Sequence, residues 1–216
     1  MKLYWGSGSP YAWRAMLALI VKGVEFEDQC LQFDKREHKS QAFLKINPRG
    51  RVPALVDGDL IVYESHAIIG YIDKKFPETP LFGKTPAETA RILRIISEHD
   101  SYAYPAGTAV LRPIFQGKTL EKNEETTEAV KTLHAEFKSI RDAFAGEQWL
   151  GGSTVSAADL TVYPTLMLID RIVSKPDVAA LGLGLAPFED DTMRRWKGRI
   201  EALPGVERAY PPHWRA

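Results

Sequence analysis

The chain has 216 residues, enough for one large domain or two modest ones. Its 28 Lys and Arg residues balance 28 Asp and Glu residues, so the net charge is zero, which disfavours nucleic acid or an acidic membrane surface as the main partner. A single cysteine excludes an internal disulfide framework and gives no zinc cluster, and the longest apolar run, residues 15–21, is too short to span a bilayer, so we expect a cytoplasmic protein without a metal.

Strand and helix patterns alternate in the first part of the chain. Residues 2–5 have a strand pattern that ends in a Gly-Ser turn. Pro10 stands at a favourable first helical position with Ser9 as its cap, and apolar side chains follow at helical spacing. Residues 25–31 predict a second strand, and residues 41–46 predict a short helix that ends at an Asn-Pro pair.

A hairpin signal follows. Residues 53–56 and 60–63 are strand patterns on either side of Asp57-Gly58, a pair typical of tight β-turns. Residues 64–76 then have a helical pattern. The order strand-helix-strand-helix-strand-strand-helix resembles that of a thioredoxin-like α/β domain with a mixed four-stranded sheet.

The second part of the chain is helical in pattern. Thr85 with Glu88, and Ser156 with Asp159, are two capping boxes that predict helix starts. Apolar residues at helical spacing form two stripes, Ile92, Ile95, Ile96, His99 and Ala103 in the first, and Val130, Leu133, Phe137, Ile140 and Phe144 in the second. We therefore predict an α/β domain over residues 1–78, a linker over 79–87 and an all-α helical bundle domain over 88–216.

Several separated motifs resemble the glutathione S-transferase family in their order and spacing. They are Lys2-Leu3-Tyr4, Ser9-Pro10-Tyr11-Ala12-Trp13-Arg14, His38-Lys39, Phe43-Leu44-Lys45-Ile46-Asn47-Pro48, Arg51-Val52-Pro53-Ala54-Leu55-Val56 and Tyr63-Glu64-Ser65. The resemblance implies an enzyme that uses glutathione as its co-substrate and needs no metal.

Ser9 is the candidate catalytic residue. The resemblance to the serine-using phi and theta classes places their catalytic hydroxyl at this position, five residues before an arginine that is Arg14 here. A hydroxyl that donates to the glutathione sulfur at the start of a helix favours the nucleophilic thiolate. The alternative is that Ser9 only caps its helix, and Ser7, Tyr4 and Tyr11 are competing hydroxyls.

The two ends and the middle of glutathione have separate candidates. The resemblance assigns Glu64 and Ser65 to the γ-glutamyl end, with ordinary helix capping as the alternative. Pro53 resembles the cis-proline of the family, and Val52 before it then offers main-chain hydrogen bonds to the cysteinyl part.

A basic set is assigned to the glycyl end. His38 and Lys39 match a pair that binds the glycyl carboxylate, and Arg51 occupies the position of a polar residue nearby. A solvated loop is the alternative for all three.

The electrophile and the partner subunit are expectations from the resemblance alone. A homodimer is implied, with Asp100 reaching glutathione across its interface. A small hydrophobic electrophile is expected in a pocket between the domains, and its candidate lining residues are Tyr11, Tyr104, Leu111 and Phe115.

Three functions compete. The favoured one is a detoxifying transferase that adds the glutathione thiolate to a small electrophile. A zeta-like cis-trans isomerase shares Trp13-Arg14, but the Ser-Ser-Cys signature of that class is absent, because Ser9 is followed by Pro10 and Tyr11. A non-catalytic scaffold or regulatory protein is the third, and retention on immobilised glutathione discriminates it from the other two.

Overall fold

The computed structural model describes residues 1–215, which form two compact units. The first consists of Met1–Leu81 together with the C-terminal segment that begins at Ile200, and the second is Phe82–Arg199. Sequence patterns grouped the C-terminal segment with the helical domain, whereas its contacts place it with the α/β unit. Its packing is therefore part of the first unit.

A four-stranded mixed sheet forms the centre of the first unit. Its strands are β1 (Lys2–Trp5), β2 (Glu27–Cys30), β3 (Ala54–Asp57) and β4 (Leu60–Tyr63), in the order β2-β1-β3-β4. β1 pairs in parallel with β2 and antiparallel with β3, which pairs antiparallel with β4. The predicted hairpin is confirmed, with Gly58 at φ 60° in the turn, a conformation that glycine adopts without strain.

Three helices cover this sheet: α1 (Pro10–Val21), α2 (Gln41–Leu44) and α3 (Ser65–Lys75). α1 begins as predicted, with Ser9 as its N-cap and Pro10 in its first turn. Nearly every residue of α1 is buried, which explains why its sequence is apolar on all sides. α1 and α3 pack against each other.

The second unit contains helices α4 to α8 and most of α9, whose last two residues belong to the first unit. Their bounds are α4 Pro86–Glu98, α5 Tyr104–Phe115, α6 Glu124–Asp142, α7 Ala157–Val173, α8 Pro176–Ala179 and α9 Asp191–Glu201. Both predicted capping boxes are present, at Thr85 with Glu88 and at Ser156 with Asp159. The two predicted stripes are buried in full, which confirms the helical periodicity inferred from them.

Asp159 joins three parts of the second unit. Its carboxylate accepts hydrogen bonds from the Leu150 N–H (2.9 Å), the Ser156 N–H (2.9 Å) and hydroxyl (2.7 Å), and the Trp196 indole N–H (2.8 Å). The residue has 0% exposure, and burial raises the pKa of its carboxyl group. It caps α7 and fixes α9 through Trp196.

The fold agrees with the predicted class, an α/β thioredoxin-like unit followed by a helical one. A π-helical turn, His99–Ala103, stands between α4 and α5 and had no signal in the sequence. Over residues 1–215, we find no helix with the length and apolar character needed to cross a bilayer.

Candidate active site

All of the candidate glutathione-binding segments leave the sheet at the same end. Across the sheet, Tyr4 pairs with Ala54 and Ala54 pairs with Tyr63, while Trp5 pairs with Cys30. The loop after β1, the loop after β2, the entrance of β3 and the exit of β4 therefore lie side by side. Segments that are distant in sequence converge on one edge because of this register.

Ser9 lies in the loop after β1 and caps α1. Its Oγ accepts a hydrogen bond from the Ala12 N–H at 3.3 Å, and its own N–H donates to the Gly6 carbonyl at 3.1 Å. The first turn of α1 contains no acidic residue, so no neighbouring carboxylate in that turn offsets the positive end of the helix dipole. The helix-capping role that we gave as the alternative for Ser9 is confirmed. In this role the Ser9 Oγ acts as a hydrogen-bond acceptor.

Arg14 is the arginine five residues after Ser9, and it is completely buried. Its guanidinium lies over the Tyr11 ring at 4.4 Å, and its Nη1 is 2.6 Å from Nε2 of His66. Since a guanidinium can only donate, His66 accepts at Nε2 and is neutral in this contact. Arg14 thus ties the first turns of α1 and α3 together.

Val52 and Pro53 stand at the entrance of β3, and the peptide bond between them is cis. The Val52 side chain packs against the cluster of Leu31, Phe43 and Ala54. Among residues 1–215, its backbone N–H and C=O make no hydrogen bond to another backbone group. Its side chain is therefore anchored while its polar backbone groups remain available for an extended peptide.

A turn held by Asn47 positions the basic residues. The buried Asn47 amide donates to the Arg51 carbonyl at 2.6 Å and accepts from the Arg49 N–H at 3.0 Å. The Lys39 ammonium donates to the Arg49 carbonyl at 3.3 Å. A Cβ on Gly50 would lie 2.9 Å from both Lys39 Nζ and the His38 carbonyl, so this turn packs directly on the 3₁₀ turn Glu37–Lys39.

His38 is half-buried beside Phe33, whose ring meets its imidazole edge-on at 5.2 Å. Burial, with smaller contributions from Lys39 and Arg36, lowers the pKa of His38 below its ordinary 6.5. Its Nδ1 is enclosed and makes no hydrogen bond within the described part of the chain. The neutral imidazole and two exposed cations, Lys39 and Arg51, therefore lie in the same corner of the unit.

Glu64 and Ser65 follow β4 directly. Glu64 has φ 71° and ψ 118°, a strained conformation for a residue with a side chain, and its carboxylate is exposed, 3.7 Å from Nε of Arg49. Ser65 is buried at the first position of α3. The helix start predicted here is confirmed, and the left-handed backbone at Glu64 was not foreseen.

The candidate pocket residues have different environments. Tyr11 and Tyr104 are half-buried, Leu111 is 3% exposed and Phe115 is 60% exposed. A cleft of about 530 Å³ in the helical unit is lined by other residues, among them Arg141, Phe144, Gln148, Thr192 and Arg195. Asp100 lies on the π-helical turn and contacts His99 Nδ1 at 2.9 Å.

Cys30 ends β2 and is half-buried. Burial raises the pKa of its thiol, and a hydrogen bond with the backbone of Ser7 partly offsets this effect. The Cys30 thiol is therefore a weak nucleophile at neutral pH.

Comparison with known proteins agrees with this geometry. A model of the N-terminal domain of glutathione S-transferases matches residues 1–74, and a model of the C-terminal domain of the same family matches residues 93–204. The chain belongs to the glutathione S-transferase family. It is similar along most of its length to Glutathione S-transferase Z2 of Arabidopsis thaliana, with 33% identity over 98% of this chain and 91% of that protein.

Two other proteins that this transferase resembles are also glutathione S-transferases. Glutathione S-transferase 1 of Dianthus caryophyllus is 30% identical over 87% of this chain and 82% of its own length. The crystal structure of a glutathione S-transferase from the Antarctic clam Laternula elliptica superposes with a TM-score of 0.80, at 26% identity over 99% of this chain and 93% of that one.

Two features of this transferase were missed by sequence reasoning. His66 had no assigned role, although it contacts Arg14, and the C-terminal residues Tyr210, His213 and Trp214 were placed in the other domain. Neither feature has a local motif, because each depends on contacts between distant parts of the chain.

Proposed function

We propose that this glutathione transferase uses Ser9 to activate the glutathione thiol for attack on a small electrophile. The observation that carries the proposal is the position of the Ser9 hydroxyl at the unneutralised start of α1, on the same sheet edge as the other candidate contacts. Glutathione is the co-substrate that the family uses. The roles proposed for the other residues come from the family resemblance and are supported by their places at that edge.

The Ser9 hydroxyl can cap the helix and bind the sulfur at the same time. Its oxygen accepts from the Ala12 N–H, and its hydrogen is left to donate to a thiolate. A thiol with a pKa of about 8.5 is only a few per cent thiolate at pH 7. Lowering that pKa by about two units needs ~2.7 kcal/mol, which one charge-assisted hydrogen bond and the helix dipole can supply.

The width of the sheet suits an extended tripeptide. β1, which precedes Ser9, and β4, which precedes Glu64, are two strand spacings apart, roughly 9–10 Å. An extended tripeptide spans about 10 Å. Val52 precedes β3, the strand between them, and its N–H and C=O, which make no backbone hydrogen bond within the described residues, can pair with the cysteinyl residue as an added strand.

Each charged end of the tripeptide is bound by protein groups that suit its charge. Glu64 pairs with the γ-glutamyl ammonium, and the Ser65 hydroxyl and N–H at the start of α3 hold the carboxylate of the same residue. His38, Lys39 and Arg51 receive the glycyl carboxylate. The strained backbone of Glu64 supports this role, because strain of this kind is concentrated at ligand sites.

The reaction is a conjugation. The thiolate attacks an electrophilic carbon and a carbon–sulfur bond forms. With an aryl chloride, chloride leaves with the bonding electron pair, and the thiol proton passes to solvent. Ser9 has no sulfur and cannot form the mixed disulfide on which thiol-disulfide exchange depends.

A homodimer is part of the proposal. β4 is an edge strand of the sheet, and Leu60 and Ile61 on it are 44% and 43% exposed. Exposed apolar side chains on an edge strand favour association with another chain. We place this dimer in the cytoplasm with a role in detoxification, and analytical ultracentrifugation tests the assembly.

The Ser9→Ala variant tests the assignment of the thiol-activating group. It should keep glutathione binding but lower the rate of conjugation to a chlorinated nitrobenzene by about 25-fold at pH 7, the fall in thiolate fraction when the thiol pKa rises from about 6.5 to about 8.5. Ser40→Ala is the matched control, because Ser40 caps α2 through the Phe43 N–H in the same unit. Wild-type activity in Ser9→Ala would show that another group activates the thiol.

A further inference from the structure

A side chain from the C-terminal segment contacts the loop that holds Ser9. The Ser7 hydroxyl and Nδ1 of His213 lie 2.6 Å apart and share a hydrogen bond across 206 positions of sequence. His213 belongs to the 3₁₀ turn Pro212–Trp214. Both residues are in the first unit, so this contact is internal to it.

The imidazole of His213 also packs on the next residue of the loop. Gly8 has φ 82°, and a Cβ built on it would lie 3.0 Å from Cε1 of His213 and 3.7 Å from Nε1 of Trp214. Ser9 follows directly, with its N–H bonded to the Gly6 carbonyl. Gly6, Ser7 and Gly8 therefore form a tight turn that leads into Ser9, and His213 contacts this turn at Ser7 and Gly8.

An aromatic cluster anchors the C-terminal segment on α1. Trp13, Tyr210 and Trp214 form three edge-to-face contacts, with ring centroids 5.5 to 5.8 Å apart. Trp13 and Trp214 are buried, at 4% and 7% exposure. Edge-to-face pairs of this kind are favourable beyond the area that they bury. The backbone that carries His213 is therefore attached to the same helix that Ser9 caps.

We propose that Ser7 and His213 are positioning residues for thiol activation, and that the C-terminal 3₁₀ turn is part of the active site. The hydrogen bond and the packing on Gly8 hold the loop so that the Ser9 hydroxyl points to the sulfur of bound glutathione. The inference rests on the proposed function of Ser9. It adds that the loop alone does not hold Ser9 in place.

A double-mutant cycle measures this role. Ser7→Ala, His213→Leu and the double variant are compared with the wild type by the pKa of the bound glutathione thiol, read from thiolate absorbance, and by kcat and KM. Each single variant should raise the thiol pKa by about one unit and lower kcat about threefold at pH 7, with the KM for glutathione within about twofold. The double variant should show no larger change in thiol pKa or kcat than either single variant, because both residues act through one shared contact.

Conservative replacement and a matched control separate positioning from general damage. His213→Asn keeps a side-chain amide that can share a hydrogen bond with Ser7, and should recover most of kcat. Arg208→Ala alters the same C-terminal segment at a contact with the Phe26 ring and should leave the thiol pKa unchanged. Additive losses in the double variant, or equal losses in His213→Asn and His213→Leu, would overturn the inference.

The same titration distinguishes failure of the inference from failure of the proposed function. If Ser9→Ala raises the thiol pKa while Ser7→Ala and His213→Leu do not, Ser9 activates the thiol and the positioning pair is rejected. If Ser9→Ala has no effect but the other two variants raise the thiol pKa, Ser9 is the wrong group and the inference falls with it.

Discussion

Nη1 of Arg14 lies 2.6 Å from Nε2 of His66, and this contact joins the two helices whose first turns face the candidate glutathione site. Arg14 extends from α1, which Ser9 caps, and His66 follows Ser65 at the start of α3. The candidate thiol end and the candidate γ-glutamyl end of the site are therefore linked by this partly buried contact.

Replacing Arg14 with methionine should destabilise the first unit. The substitution keeps an unbranched side chain but removes the donor to His66 and the cation over Tyr11, and we expect a loss of about 2–4 kcal/mol in the free energy of unfolding. Chemical denaturation measures the loss. The control is Arg91→Met at an exposed position of α4, and a variant at position 14 that is no less stable than this control contradicts the assigned role.

Lys22, at the C-terminal end of α1, and Asp73, near the C-terminal end of α3, form a buried ion pair. Their Nζ and Oδ1 atoms are 2.7 Å apart with side-chain exposures of 1% and 5%, and Asp73 also accepts from the Leu81 N–H at 2.6 Å. Asp73→Ala leaves the Lys22 charge buried without its partner, so we expect a loss of about 3–5 kcal/mol in unfolding free energy.

An exposed ion pair provides the comparison. Lys131 and Glu128 are 78% and 67% exposed at 3.6 Å, and Lys131→Ala should change the unfolding free energy by less than about 0.5 kcal/mol. Similar losses of unfolding free energy in Asp73→Ala and Lys131→Ala would show that burial does not determine how much these ion pairs stabilise the protein.

Asp159→Ala should remove about 3 kcal/mol or more from the free energy of unfolding, because it leaves four donors unsatisfied in the interior. The exposed capping box of α4 provides a matched control. Glu88→Ala there should lower the free energy of unfolding by clearly less than Asp159→Ala does. Denaturant titrations of the two variants give the comparison.

The same residue predicts a pH dependence. Burial raises the pKa of Asp159 above its ordinary 3.8, so the native state binds this proton more readily than the unfolded chain. Its contribution to stability is therefore largest in acid and falls as pH rises from the ordinary pKa to the native one. The difference in unfolding free energy between the wild type and Asp159→Asn should narrow as pH rises. A difference that widens would show that the four hydrogen-bond donors lower the pKa of Asp159 by more than burial raises it.

Glu64→Ala should weaken glutathione binding by about tenfold, since it removes the carboxylate that we propose to bind the γ-glutamyl ammonium, an exposed group whose charge-assisted contact is of moderate strength. Isothermal titration calorimetry gives the dissociation constant. Glu78→Ala, at an exposed acid in the same unit, should leave it unchanged. An unaltered constant in Glu64→Ala rules out the role assigned to this carboxylate.

On acidification, wild-type binding of glutathione should strengthen relative to that of His38→Gln, because the thiol titrates in both complexes and only the wild type has the His38 imidazole. Burial and two neighbouring cations lower the pKa of the free imidazole, and a glycyl carboxylate beside it favours the protonated form. By linkage, the protonated protein then binds glutathione more tightly, and His38→Gln should lose this dependence. A ratio of wild-type to His38→Gln affinity that is flat between neutral pH and mild acid would place the glycyl end elsewhere.

Local signals in the sequence predict the elements but not all of their contacts. Asp57-Gly58 determines the hairpin, and Ser9 with Pro10 determines the start of α1, because turns and caps depend on a few neighbouring residues. The placement of His38, Val52 and Glu64 at one sheet edge followed from a family resemblance and is explained by the strand register.

Long-range packing explains what the sequence left undetermined. Trp214 and Tyr210 pack on Trp13 across nearly the whole chain, and no spacing rule connects residues so far apart. The left-handed backbone of Glu64 is also invisible to local rules, which favour glycine or asparagine at such a φ. Both features lie beside the site.

The pKa of the thiol of bound glutathione tests the central claim most directly. Titration of thiolate absorbance in the wild-type complex should give a value about two units below the roughly 8.5 of a free thiol, and in the Ser9→Ala complex a value close to the free one. The same depressed pKa in both complexes would contradict the assignment of thiol activation to Ser9.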